Sequence, residues 1–190
     1  MLEFSIMKLK LYFVLSVIFF LSAGCAGLKK EQAVSSYSFD GKVLDSDNLK
    51  GGGKIYLVPF SAGVGVEAGE TLDEAALMLI KGIYEELSST NSALTVLTSG
   101  QGSSADFILR GHFVKWNDGS SGRIKKLLTS GKQRSISTIS VEGEIIERAT
   151  GKVLIHFADV KEAAVRSDDH RALGYNIGKD IGRFILSAVR

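Results

Sequence analysis

Among 190 residues there is one cysteine, one proline, one tryptophan and three histidines. A single cysteine excludes an intrachain disulfide and any thiolate metal cluster. A single proline leaves most chain reversals to the 21 glycines, the other strong local punctuator. His112, His156 and His170 form no H-x-x-x-H or H-E-x-x-H set, so no zinc spacing is legible and no metal is expected. A G-x-S-x-G nucleophile elbow is also missing. Net charge is small: 23 basic against 21 acidic residues give +2. A balance that close to neutral supplies no general attraction to nucleic acid or to anionic lipid.

What the chain does have is one long apolar run, placed near its start. Lys8 and Lys10 precede Leu11 to Leu21, which is broken only by Ser16, and Leu21-Ser22-Ala23-Gly24-Cys25 follows. A basic start, an apolar core and small residues before a cut site are the parts of a secretory signal. With cysteine directly after the small residues, the expectation is a lipoprotein signal, cleaved between Gly24 and Cys25 and acylated on Cys25. The six residues before Met7 fit poorly, because Glu3 is acidic and Leu2, Phe4 and Ile6 are bulky; translation from Met7 is expected. The competing reading is an uncleaved transmembrane anchor. Leu11 to Leu28 is uncharged but lies at the short limit of what spans a bilayer, and two glycines and the cysteine weaken its end. Two or three acyl chains satisfy the requirement for stable anchoring. Ala26, not Asp, follows the cysteine; by analogy with Gram-negative sorting this favours the periplasmic face of the outer membrane.

Cleavage removes Lys8, Lys10 and Glu3, leaving 21 basic and 20 acidic residues, or +1, in a mature chain of 190 − 24 = 166 residues. That length suits one domain with a real core. The expected organisation is a signal peptide over 1–24, a lipidated N-terminus, tether and loop over 25–50, and a globular α/β domain over 51–190. The polar stretch from Ala26 to Ser36 reads as a flexible tether with a span of roughly 17–20 Å, which holds the domain near the membrane.

Within the mature chain, Tyr37, Phe39 and Val43 alternate with polar residues as a short edge strand, and Asp45 to Gly53 reads as a loop. Ile55 to Phe60 is a strand that Pro59 brings to its end. After a glycine-rich loop, Thr71-Leu72-Asp73-Glu74 reads as a capping box. Leu72, Ala76, Leu79, Ile80, Ile83 and Leu87 then recur at helical spacing. Leu94 to Thr98 is a second strand, and a strand, helix and strand in this order favour a parallel pair. Asp106 to Trp116, Ser135 to Ile146 and Val153 to Ala164 alternate as three long strands of an antiparallel meander. From about Asp168 a last helix carries Leu173, Ile177, Ile181, Phe184, Ile185 and Ala188 as its apolar stripe. The fold class is α/β (α+β): a single mixed sheet, β-α-β then a meander and a C-terminal helix, with both helices on one face.

Val58-Pro59-Phe60, Ala105-Asp106-Phe107-Ile108-Leu109-Arg110-Gly111, a glycine- and arginine-bearing loop around Gly119 to Gly131, and Thr150-Gly151-Lys152-Val153-Leu154 occur in that order. In order and spacing they resemble a DUF4410-like family of bacterial envelope lipoproteins, a domain of unknown function. The resemblance covers roughly residues 53 to 190. Members carry a more glycine-rich central loop and an aspartate ahead of the Thr-Gly turn; here the loop is more basic and Glu147 is the nearest acid. The resemblance implies an envelope lipoprotein with no established activity. The small α/β domains of periplasmic secretion and assembly lipoproteins, including the curli-secretion type, are similar at the level of fold analogy.

Several constellations bear on chemistry. Gly63-Val64-Gly65-Val66-Glu67-Ala68-Gly69 sits where a dinucleotide fingerprint would, but is one residue too long and has no ribose-binding acid after the second strand. Asp168-Asp169-His170 carries acids that a helix N-terminus favours without a metal. Glu142 and Glu144 share one strand face, which supports glycosidase chemistry only if they meet in a cleft. Two features suggest contacts instead. Gly119 to Ser140 contains no acid but has Arg123, Lys125, Lys126, Lys132 and Arg134, a candidate surface for a headgroup, an acidic partner or a polyanion. Gly174, Gly178 and Gly182 repeat every four residues, which permits close helix packing on the sheet or first helix, or oligomerisation. The sequence is therefore read as a non-enzymatic binding or assembly module without cofactor. Its expected partners are the membrane, through its lipid, and an envelope protein, with no nucleic acid. The alternative is an envelope hydrolase or glycan-binding enzyme.

Overall fold

Alternation of side chains builds the strands. Phe107, Leu109 and Phe113 are buried while Arg110 and His112 remain exposed, and Ile139, Val141 and Ile145 repeat the pattern one strand away. The structure, a computed structural model, describes residues 35–89, 92–97, 100–117, 136–164 and 169–190. The signal segment, Cys25, residues 26–34 of the expected tether and the basic residues Arg123, Lys125, Lys126, Lys132 and Arg134 lie outside the described residues, while Ser35 and Ser36 open β1.

In chain order the elements are β1 (Ser35–Val43), α1 (Asp47–Lys50), β2 (Gly53–Leu57), β3 (Ser61–Ala62), α2 (Glu70–Ser89), β4 (Leu94–Leu97), a 3-10 turn (Gly102–Ser104), β5 (Phe107–Asn117), β6 (Ile136–Glu147), β7 (Val153–Ala164) and α3 (Asp169–Ala188). All seven strands form one mixed sheet in the order β1-β7-β6-β5-β2-β4, with β3 beside β5. β2 runs parallel to β4 and β5, and the β5-β6, β6-β7 and β1-β7 pairs are antiparallel. The expected β-α-β unit and meander are thus joined through β5.

Both long helices pack on one face. From α2, Leu72, Ala75, Leu79, Ile83 and Leu87 are buried; from α3, Leu173, Ile177, Ile181 and Ile185 have no exposed surface. Each of these leucine and isoleucine side chains contributes about 1.5–3 kcal/mol by leaving water. The helices also approach each other through glycine. A Cβ on Gly174 would lie 2.5 Å from the Ala75 carbonyl oxygen, and one on Gly178 would lie 2.9 Å from the Leu79 carbonyl carbon. A Cβ on Gly82 in α2 would meet the Tyr175 backbone in return.

Under the helices, one row of the sheet alternates bulk with its absence. Gly41, Phe157, Gly143 and Gly111 are cross-strand neighbours on β1, β7, β6 and β5. Phe184 of α3 covers Gly41, the Phe157 ring covers Gly143, and Phe60 covers Gly111. Rings laid over bare backbone fill the space the glycines leave, as close packing of interiors requires. Phe60 joins this layer to Phe113 and Phe157 at centroid distances of 6.4 and 6.3 Å.

The structure departs locally from the sequence expectations. The capping box does not form: α2 begins at Glu70, and the Asp73 N–H donates to the Gly69 carbonyl at 3.0 Å. Glu74 instead reaches His170 and Arg171 of α3, so partners from another helix displace the local cap. The loop before β2 holds the one-turn α1, because Leu49 is fully buried there. The glycine-rich stretch begins with β3, which pairs with β5 through Ser61 and Ala62. The edge strand expected around Tyr37 to Val43 does form as β1, and its alternating residues pair along β7.

Candidate functional site

The face of the sheet away from the helices carries the polar side chains of β5, β6 and β7. Register sets Arg110 opposite Glu144, His112 opposite Glu142, and Glu144 opposite His156. A depression of about 670 Å³ opens there, walled on one side by Pro59 and Ser61 to Val64 and floored by Arg110, His112, Glu142, Glu144 and His156. Backbone bonds on either side of β3 hold the wall to β5: the Gly63 N–H donates to the Phe113 carbonyl at 3.0 Å, and the Val58 N–H donates to the Leu109 carbonyl at 2.9 Å.

Within this depression Arg110 donates from Nε and from a terminal nitrogen to one Glu144 oxygen, at 2.8 and 2.6 Å. That carboxylate is therefore engaged by a fixed cation. His112, Glu142 and His156 are not hydrogen-bonded to any described residue, and present one carboxylate and two imidazoles to solvent. Among the described residues no group of three or more His, Cys, Asp or Glu side chains is arranged to hold a metal ion. What the floor can do is bind a polar group by complementary charges and hydrogen bonds. Two carboxylates and two histidines on one floor also place the parts of acid-base chemistry side by side.

His170 lies elsewhere, at the junction of the helices. Its Nε2 is 3.0 Å from a Glu74 oxygen, Arg171 donates to the other oxygen at 2.9 Å, and the Trp116 ring meets the imidazole edge-on at 6.2 Å. The hydrogen bond from His170, then the Arg171 charge, hold the Glu74 carboxyl below its ordinary range against the opposing effect of partial burial. Surrounded in this way, His170 ties α3 to α2 and to the end of β5.

A third polar group is buried beneath the helices. Asp159 and Lys161 of β7 lie on the same strand face as Ile155 and Phe157, with 0% and 3% exposure. Lys161 forms an ion pair with Asp180 of α3 and stands 3.6 Å from Asp159. Burial pushes the Asp159 carboxyl up to about 6, and the nearby Lys161 charge only partly opposes it. The sequence reading missed both residues. Their signal was parity: two charges occupy positions where alternation along β7 calls for apolar side chains.

Of the candidates from sequence, the structure brings His112, His156, Glu142 and Glu144 together on one open face and leaves His170 apart. Gly174, Gly178 and Gly182 line the α2–α3 contact. No helix among the described residues is long and apolar enough to cross a membrane.

No protein-family model matches the chain. No curated protein matches it either. Solved structures do. The PelC dodecamer from Paraburkholderia phytofirmans is 11% identical with a TM-score of 0.49, covering 78% of this chain and 98% of that one. Protein XCC0632 from Xanthomonas campestris is 10% identical with a TM-score of 0.43, covering 71% and 83%. Lipoprotein GNA1162 from Neisseria meningitidis is 13% identical with a TM-score of 0.41, covering 68% and 98%. At such identities the likeness concerns the arrangement of the backbone alone.

Proposed function

We propose that this chain is a bacterial lipoprotein of the DUF4410-like type, anchored through Cys25, that acts as a non-enzymatic binding or assembly module at the periplasmic face of the outer membrane. The observation that carries the reading is the lone cysteine placed directly after an apolar run and three small residues, Ser22, Ala23 and Gly24. The fold suits the role. Nine residues lie between Cys25 and Ser35, where β1 begins, so the sheet is tethered close to the bilayer. One face of that sheet carries none of the described helices and displays charged side chains. The basic residues between Arg123 and Arg134 add a second candidate surface. Radiolabelled palmitate incorporated by the wild type but not by Cys25→Ser, with the label in the outer-membrane fraction, is the expected result. An unlabelled, uncut chain in the cytoplasm defeats the placement. For the assembly role, in-cell crosslinking from positions 120–134 is expected to capture an envelope protein; capture of bulk lipid alone counts against it.

A second reading has one observation in its favour, the shared depression of His112, Glu142, Glu144 and His156. It makes the chain an envelope hydrolase or glycan-binding enzyme. Hydrolysis of envelope glycans or esters by the purified chain, abolished by Glu142→Gln or His112→Ala with folding intact, decides for it.

A further inference from the structure

Among the described residues β1 is the outer strand of the sheet, with β7 on one side and no described strand on the other. The Leu44 N–H donates to the Leu154 carbonyl at 2.8 Å. The register runs back from there through Val43↔Ile155, Lys42↔His156, Gly41↔Phe157 and Asp40↔Ala158. In an antiparallel ladder bonded and non-bonded pairs alternate. The bonded pairs toward β7 therefore fall at Lys42 and Asp40. The N–H and C=O groups of Phe39, Gly41 and Val43 face outward, a row ready to take another strand. The bulge in β1 lies before Ser38, outside this stretch, and Val43 and Leu44 are 39% and 50% exposed.

The side chains of this edge are complementary to themselves. Asp40 and Lys42 are exposed on the helix-free face, and no described residue forms an ion pair with either. Phe39 and Gly41 lie on the helix side against Phe184, with Phe39 and Phe184 centroids 5.2 Å apart. We infer that β1 pairs antiparallel with β1 of a second copy of this chain, about a twofold axis at Gly41. Only that centre satisfies three demands together. The outward-facing residues Phe39, Gly41 and Val43 bond to Val43, Gly41 and Phe39 of the second copy. Asp40 and Lys42 fall in non-bonded pairs, where Cα atoms approach to about 4.5 Å, and each meets the opposite charge twice over the axis. Exposed Val43 is covered by Phe39 of the second copy. The charge row Arg110, Glu144, His156 and Lys42 then continues without a break into Asp40 of the neighbour, making one sheet of two copies.

The test uses the full chain in detergent, followed by sedimentation velocity, with circular dichroism to check folding. A concentration-dependent dimer is expected. Asp40→Lys or Lys42→Asp alone sets like charges opposite each other twice and is expected to weaken the dimer about ten-fold or more. The exchanged variant carrying both substitutions is expected to restore it. In cells, Asp40→Cys combined with Lys42→Cys is expected to form a disulfide dimer, because a separation of about 4.5 Å lies within disulfide reach; either cysteine alone is expected to give no disulfide dimer, since the acylated Cys25 carries no free thiol. A wild type that stays monomeric, a dimer indifferent to both charge reversals, or crosslinking as strong from one cysteine as from two overturns the inference.

Discussion

Replacing Gly178 by alanine isolates the contact that joins the two helices. A Cβ there would lie 2.9 Å from the Leu79 carbonyl carbon and 3.0 Å from the Ile83 nitrogen, with the Leu79 oxygen nearer still. All three are backbone atoms, so no side chain can swing away. Restoring ordinary carbon contacts of 3.5–4.0 Å needs the helices to part by about 1 Å, and a gap of that size forfeits a quarter to a half of each dispersion contact it spans. Leu79, Ile83, Ile177 and Ile181, all fully buried, surround the point. Overpacking of this kind costs about 1–3 kcal/mol, here at the upper end. Alanine's better helix propensity returns about 1 kcal/mol. The net is a loss of about 2 kcal/mol, or about 4–8 °C in Tm for a chain of this size. Thermal unfolding by circular dichroism measures it, with Gly69→Ala as the control, since nothing lies within 4 Å of a Cβ at Gly69. If Gly178→Ala melts at or above the wild-type temperature, helix propensity has won and the close approach is not what holds α2 to α3.

Gly143→Ala sets a Cβ 2.7 Å from the Arg110 carbonyl oxygen and 2.5 Å from the Phe157 ring. It is expected to lower stability by about 1–3 kcal/mol in denaturant unfolding, with part of the loss recovered by Phe157→Leu in the same chain. Asp159 has a raised folded pKa of about 6 against an ordinary 3.8, so its contribution favours folding below the lower value and is lost as pH rises through 6. The stability advantage of Asp159→Asn over the wild type should therefore grow between about pH 4 and pH 7, by up to about 3 kcal/mol; a difference that is flat with pH refutes it. Lys161→Met leaves Asp159 and Asp180 without their shared cation and should cost about 3–5 kcal/mol at pH 8, less at pH 5 where Asp159 is protonated.

The long strands and helices were legible because their burial follows from local period. Phe107, Leu109 and Phe113 alternate, Leu173, Ile177, Ile181 and Ile185 recur by turns, and each pattern survives in the sheet and on the helix-covered side. The capping box at Thr71 failed because Glu74 had a choice that no local window shows: His170 and Arg171, almost a hundred residues away. α1 leaves no mark in the sequence because a single buried Leu49 carries no period. The open-face cluster was half legible. Alternation alone puts Glu142 and Glu144 on one face, whereas His112, His156 and Arg110 join them only through the registers of β5-β6 and β6-β7.

By itself the sequence determined the succession of strands and helices, the side of each that is apolar, and the lone cysteine after its apolar run, since all of these are properties of neighbouring residues. Only the tertiary structure decided that β5 joins the parallel and antiparallel halves, that rings cover Gly41, Gly111 and Gly143, that Asp159 and Lys161 are buried beneath α3, and which charges meet on the open face. Those outcomes depend on register and on contacts between distant segments, where a shift of one residue sends every side chain of a strand to the opposite face.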